Sequence, residues 1–252
     1  MNFHYENKKY KQGFTHIIGC DEVGRGCLAG PVVAAAVILP RVESEKCKVI
    51  KSAGIRDSKL LSAGKREKLS ALIKERGLAW GIGVVDEKVI DKINIHQATL
   101  LAMKRAVEQL LSALNGVILR PSVPRSGIPL RGTSEAEESQ SPKKRSFVGC
   151  TPQDDADKRV LIVVDGKFTI PNLNIEQEAV VDGDNKILSI AAASIIAKVY
   201  RDNLMRKFDK QYSAYGFAKH KGYATEYHRA QVIAHGLSPI HRLSFCKNLM
   251  PT

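Results

Sequence analysis

The stretch Ile17–Pro31, IIGCDEVGRGCLAGP, decides how this chain is read. An apolar run leads into two adjacent carboxylates, Asp21 and Glu22, and a glycine-arginine-glycine turn follows at once, Gly24-Arg25-Gly26. Carboxylates at a strand end are ligands for hard cations. Backbone without Cβ atoms can approach a substrate that side chains would hold away. A cation beside such a close approach points to phosphate chemistry on a large anionic substrate.

Outward from this stretch, His16–Cys20 and Val32–Leu39 are rich in β-branched or small apolar residues around a glycine-containing turn, which predicts two strands, arranged as a hairpin. Ser62 is placed to cap a helix over 64–76 with Gly77 as its stop, and Leu78–Val85 predicts a third strand. Apolar residues recur at helical spacing over Ile95–Leu114 and Asn115-Gly116 closes that helix. Val160–Val164 is a short buried strand ending at Asp165-Gly166, and Ala179–Val181 a last one. Long helices are expected over Ser189–Tyr212 and Thr225–His235, the second stopped by Gly236. Strands first and helices interleaved later predict an α/β layer fold with a mixed sheet.

Two further acids share the setting of Asp21 and Glu22. Asp165 ends the run LIVVDG, and Asp184 lies in VVDGDNKILS before the long helix. Carboxylates at the ends of neighbouring strands can converge on one point. Mg²⁺ takes one or two carboxylates plus phosphate and water, and two such ions clamp the attacking and leaving oxygens of an in-line phosphoryl displacement. Each acid alone has an ordinary explanation, because Asp-Gly after a strand is a common turn. Asp182 and Asp184 flank Gly183, which leaves open that one of them only shapes the loop. Successive strand residues also face opposite ways, so Asp21 and Glu22 can share a site only if the strand ends or bends there.

Composition narrows the class. The net charge is +13, and residues 120–159 hold eight Lys/Arg and six Asp/Glu, so +11 belongs to the remainder. That excess favours a polyanionic partner. The segment 120–159 is rich in Ser, Pro and charge, lacks apolar periodicity, and is expected to be a disordered surface insertion; its Lys143-Lys144-Arg145 run could serve as a nucleic-acid tether. Five scattered cysteines form neither a disulfide framework nor a zinc pattern. The polar N-terminus has no signal-peptide core, and no apolar run could span a bilayer. The expectation is a soluble, cytoplasmic protein.

The residues resemble those of bacterial ribonuclease HII, the type 2 ribonuclease H. The likeness runs in order through CDEVGRGCLAGPVVAAAVIL, DSKLLSAGKREKL, INIHQATLLAMKRAV, VVDG, GDNKILSIAAASIIAKVYRD, HKGYATEYHRA and GLSPIHRLSF. It covers nearly all of the chain outside the first dozen residues and 120–159. It departs at Cys27, where the family often has proline, and at Leu60, where it often has a second lysine.

The resemblance implies a ribonuclease H-like mixed sheet flanked by helices, residues 1–212, and a small helical C-terminal substrate-binding part, residues 213–252. It implies Mg²⁺- or Mn²⁺-dependent cleavage of RNA in RNA–DNA hybrids, and incision 5′ to single ribonucleotides in duplex DNA, with two ions present beside the substrate. It assigns Asp21, Glu22, Asp165 and Asp184 as catalytic, metal-holding acids. Gly24-Arg25-Gly26 looks like the family's reader of the ribose 2′-hydroxyl, and Tyr223 like the aromatic that packs on the nucleotide at the junction. Lys59 and Lys198 are candidate phosphate contacts, with a structural role equally open for Lys198. His220, His228 and His241 fall in matching blocks and are read as structural or phosphate-facing. A monomer is expected. The rivals are ribonuclease HIII, whose extra N-terminal domain finds no room ahead of Asp21 on this reading, a junction resolvase of the same fold, and a basic binding module whose acids only shape turns.

Overall fold

The computed structural model describes residues 3–41, 43–55, 58–117 and 159–249. Its centre is a five-stranded mixed sheet in the order β3-β2-β1-β4-β5. The strands are β1 (His16–Val23), β2 (Val32–Ile38), β3 (Ala79–Val85), β4 (Val160–Asp165) and β5 (Glu176–Val180). β1 pairs antiparallel with β2 and β2 with β3, whereas β4 runs parallel to β1 and β5 parallel to β4. The expected hairpin is therefore β1–β2.

Helices cover both faces, as the fully buried β2 requires. Ala34, Ala36 and Ile38 of β2, with Ile18 and Cys20 of β1, pack under the long α4 (Glu87–Val117). The alternate residues Ala35 and Val37 face α3 (Ala63–Arg76) and α6 (Leu188–Gln211). The period of two along each strand sorts the two cores. At Gly19 a Cβ would stand 2.1 Å from the Ser189 carbonyl carbon. Glycine there lets the start of α6 lie directly on β1.

Local signals placed most elements. Ser62 caps α3 by accepting from Lys65 N, and Thr225 caps α8 (Glu226–His235) by accepting from His228 N. α4 is broken at Asn94 (φ +69°), whose side chain accepts from His96 N and Gln97 N and so caps a new helical run at Ile95, where the apolar periodicity begins. Four expectations are corrected. β1 continues to Val23, because Asp21 and Glu22 stay paired with Ala35 and Ala34. α4 runs on through Asn115-Gly116 to Val117, since one glycine costs a helix only about 1 kcal/mol. β5 is longer and begins at Glu176, an edge strand whose polar residues gave no alternating signal. Two eight-residue helices escaped notice, α1 (His4–Lys11) and α2 (Glu45–Ser52), as did the single-turn helices described below.

α1 earns its place by tertiary contact. Its buried Glu6 accepts from Ser189 N in the first turn of α6, and Tyr5 and Lys9 both bond Glu178 on β5. After α6 come the short α7 (Phe217–His220), α8, and α9 (Leu243–Cys246), gathered around Met205, Tyr215, Phe217, Val232 and Ile240 and packed on Ala29 beside the glycine turn. The short α5 (Gly183–Lys186) links β5 to α6. Apart from Arg159, the insertion 120–159 lies outside the described residues, as does Asp57. No described helix is long and apolar enough to cross a membrane.

Candidate active site

The β1–β4 ladder ends at Cys20 and Val164, and the next residue on each strand is an acid, Asp21 and Asp165. Here the sheet's carboxyl end opens into a cavity of about 470 Å³. Asp21, Glu22, Asp165 and Asp184 all line it, together with Gly24, Arg25, Gly26, Lys59, Lys198 and Tyr223. Every residue to which the resemblance gives a catalytic or substrate-binding role thus reaches one place. Asp21 and Glu22 do so without any end to their strand. Asp21 faces the α6 side, where Ser194 lines the cavity with it. Glu22 leaves by the α4 side, near His96 and Thr99. The cavity straddles the sheet end and receives both.

Backbone and side-chain donors fix the carboxylates. Asp21 Oδ1 accepts from Glu22 N at 2.7 Å, and Asp165 Oδ1 accepts from Gly183 N at 2.7 Å. The latter bond ties β4 to α5, whose next residue is Asp184. Glu22 Oε1 meets Arg25 Nη1 at 3.3 Å, and Asp184 Oδ2 meets Lys59 Nζ at 3.5 Å. Burial pushes the Asp21 carboxyl well up from its ordinary value, and the charges of Glu22 and Asp165 push it further. Burial also raises Glu22, against the opposing pull of Arg25. Burial raises Asp165 as well, opposed by the Gly183 N–H and assisted by Asp184. Like charges crowded at a half-buried sheet end are unfavourable until a cation joins them.

The donor set fits a hard divalent cation. It is all oxygen, as Mg²⁺ and Mn²⁺ prefer. Among the described residues no three His, Cys, Asp or Glu side chains already close on one point. Mg²⁺ does not ask for such a cage, because it binds through one or two carboxylates and completes its shell with water and substrate phosphate.

The glycine turn is held from behind by two arginines that sequence reasoning missed. Arg201 and Arg242 are both fully buried. Arg242 donates to the carbonyls of Gly24 (2.7 Å), Arg25 (2.8 Å) and Gly30 (2.8 Å and 2.9 Å). Arg201 donates to Pro31 O, Ala29 O and Lys221 O. Gly24 has φ +94°, and a Cβ there would stand 2.2 Å from Arg201 Nε. With their carbonyls turned back to the guanidinium groups, these residues are held as a fixed loop at the cavity wall. Lone arginines in a basic chain look like surface charge, so only the folded contacts reveal these two.

Beside the turn, Tyr223 is 41% exposed, and its backbone bridges to Cys27. Lys198 Nζ lies 5.9 Å from the Tyr223 ring centroid and donates to Asp202 Oδ1 at 2.9 Å. The ion pair with Asp202 is the structural alternative, and Lys198 also lines the cavity. Arg66, Ser58 and Ser194 also line the cavity and were not anticipated. Arg66 donates to Ser58 O at 2.9 Å and approaches Asp202 Oδ2 at 3.8 Å, and the two serine hydroxyls are 2.9 Å apart. The three histidines stand clear of the acids, packed on one another and on Tyr215 and Phe217.

Comparison with known proteins agrees with this geometry. The family model described as Ribonuclease HII matches residues 18–129 and 151–248. The Ribonuclease HII of Acetivibrio thermocellus is 41% identical over 246 residues, covering 98% of this chain and 75% of that protein. Among solved structures, ribonuclease H2 from Pyrococcus horikoshii OT3 is similar with a TM-score of 0.59 at 22% identity, covering 93% of this chain and 97% of that one. Bst ribonuclease HIII, solved in complex with Mn²⁺, gives a TM-score of 0.57 at 18% identity, covering 90% of this chain and 65% of that one. The two structures speak for the ribonuclease H-like fold. On the family match and the curated relative, the chain belongs to the ribonuclease HII family, the metal-dependent type 2 ribonuclease H endonucleases that cleave the RNA of RNA–DNA hybrids.

Proposed function

We propose that this chain also incises duplex DNA on the 5′ side of single embedded ribonucleotides, leaving a 3′-hydroxyl and a 5′-phosphate. Asp21, Glu22, Asp165 and Asp184 would hold two divalent ions, Mg²⁺ or Mn²⁺, with the substrate. The observation that carries this reading is the single cavity lined by four carboxylates, the Gly24–Gly26 backbone and Tyr223. The chemistry supplied by divalent ions held there is activation of water and neutralisation of charge at the leaving 3′-oxygen.

The chain's own residues do the rest. Asp21 and Asp165, whose charges act on each other, are the central pair, with Glu22 and Asp184 on the outer sides. The Gly24-Arg25-Gly26 backbone meets the ribose and reads its 2′-hydroxyl, the group that separates RNA from DNA. The Tyr223 ring packs on the nucleotide at the junction and tolerates any base. Lys59 and Lys198 contact phosphates, and these contacts set register without reading sequence. Residues 1–212 are the catalytic part and 213–252 the substrate-binding extension of a cytoplasmic monomer.

The test is cleavage of a DNA duplex carrying one ribonucleotide, against an all-DNA control, with Mg²⁺, Mn²⁺ or chelator, beside an Asp184→Asn variant. Metal-dependent incision 5′ to the ribonucleotide, lost in the variant, is expected. Cleavage of long hybrids with no incision at the single ribonucleotide would overturn the proposal.

A further inference from the structure

The three histidines behind Tyr223 form bonds whose direction can be worked out atom by atom. Ser238 N lies 2.9 Å from His241 Nδ1. A backbone N–H can only donate, so His241 Nδ1 is bare and the proton of the neutral ring sits on Nε2. His241 Nε2 lies 3.0 Å from His228 Nε2. His228 Nδ1 lies 2.9 Å from the Tyr223 carbonyl, which can only accept, so Nδ1 carries the His228 proton and its Nε2 is the bare acceptor. All three bonds agree on one set of tautomers: Ser238 N–H to His241, His241 Nε2–H to His228, and His228 Nδ1–H to Tyr223 O.

The surroundings keep this chain neutral. His228 and His241 are almost wholly buried. Burial pulls both down to about 4 from the ordinary value, and neighbouring His220 pulls the same way. His220 stacks on His228 with ring centroids 4.2 Å apart; it accepts from Gly222 N and lies 2.8 Å from Tyr215 O, which fixes its own tautomer. The anchored carbonyl belongs to the residue whose backbone bridges to Cys27, next to the glycine turn. His241 is followed directly by Arg242, which holds that turn.

We infer that His241 and His228 are positioning residues of the substrate site: a one-directional hydrogen-bond chain from Ser238 through both imidazoles fixes the Tyr223 backbone and so aims its ring into the cavity. The inference rests on the reading of Tyr223 as the residue that packs on the nucleotide. The second imidazole reinforces it. Without the His241 N–H, the bond to Tyr223 O alone holds His228 in its Nδ1–H tautomer, and the buried His228 Nε2 is left without its donor.

The test has two arms on the full chain. The first is ¹⁵N NMR of the histidine rings in the unmodified protein at neutral pH. Nδ1–H at His228 and Nε2–H at His241 are expected, and any other pair of tautomers overturns the inference. The second is steady-state incision of a duplex with one ribonucleotide by His228→Ala, His228→Asn and Tyr223→Ala, singly and in the double variant His228→Ala/Tyr223→Ala, with thermal unfolding recorded for each. An asparagine at 228 keeps an N–H donor near the Nδ1 position. His228→Ala is expected to raise KM roughly tenfold with a smaller change in kcat, as misplacement of a substrate contact does. His228→Asn should restore most of the loss, and His228→Ala should add nothing once Tyr223 is alanine. An equal effect of His228→Ala with and without the Tyr223 ring overturns the inference and leaves the Tyr223 reading in place. A Tyr223→Ala enzyme with unchanged kinetics overturns the Tyr223 reading, and the positioning role with it.

Discussion

Arg201 fills the space that a side chain at position 24 would need: a Cβ built on Gly24 would stand 2.2 Å from its Nε. Arg201 is fully buried and bonded to three carbonyls, so it has nowhere to go. Gly24 also has φ +94°, which L side chains rarely adopt. Gly24→Ala is therefore expected to destabilise the fold by about 1–3 kcal/mol through backbone strain. It should also displace the turn and lower kcat/KM on a single-ribonucleotide duplex by on the order of 100-fold. Denaturant unfolding and incision kinetics read the two effects separately.

Arg242 should tolerate no lysine. Its planar fork serves the carbonyls of Gly24, Arg25 and Gly30 at once, which a single ammonium cannot do. Each buried carbonyl left without a donor costs about 1–3 kcal/mol. Arg242→Lys is expected to lower the unfolding midpoint and to lose activity more steeply than stability. A variant with native kinetics would contradict the role given to the turn.

The acids oppose one another before any cation arrives. Asp21 is buried among Glu22 and Asp165, so its negative charge is unfavourable in the metal-free protein. Asp21→Asn should therefore raise the thermal midpoint in chelator while abolishing cleavage. It should also remove the stabilisation that Mg²⁺ or Mn²⁺ gives the unaltered chain. Melting curves with and without metal decide this, and a lower midpoint in chelator would count against the crowding argument.

Acid should loosen the C-terminal part. His228 and His241 bind protons less readily folded, at about 4, than unfolded, near the ordinary 6.5. The unfolded state then holds more protons between those values, so stability is full above about 6.5 and falls as pH drops toward 4. The groups that face the pair are each other and His220, all cationic when protonated, which strengthens the trend. Asp21, Glu22 and Asp165 are raised and act in the opposite sense. The comparison to make is the unfolding midpoint of His241→Asn and of the unaltered protein at pH 7 and pH 4.5. The gap should narrow in acid.

Much of this was legible beforehand for definite reasons. Ser62 and Thr225 announce helix starts because a side-chain oxygen must meet the first free N–H groups. Asp165 follows five apolar residues, Val160–Val164, that read as a buried strand. Other features had no local signal. α1 carries no apolar stripe, and its position rests on Glu6 reaching Ser189 and on Tyr5 and Lys9 reaching Glu178. Asp21 and Glu22 on a continuing strand seemed excluded by alternation, and only a cavity that wraps the sheet end reconciles them. The one-way bonding of His241 and His228 is written in distances, and no spacing in the sequence could give it.

The Gly24 carbonyl is fastened by a guanidinium 218 positions later in the chain. On a ribosome, the turn is therefore made long before its clamp. Asp165 and Asp184 also emerge long after Asp21. A half-synthesised chain thus carries neither a complete set of acids nor a seated turn, and the site comes into being only when segments far apart in the sequence have docked on one another.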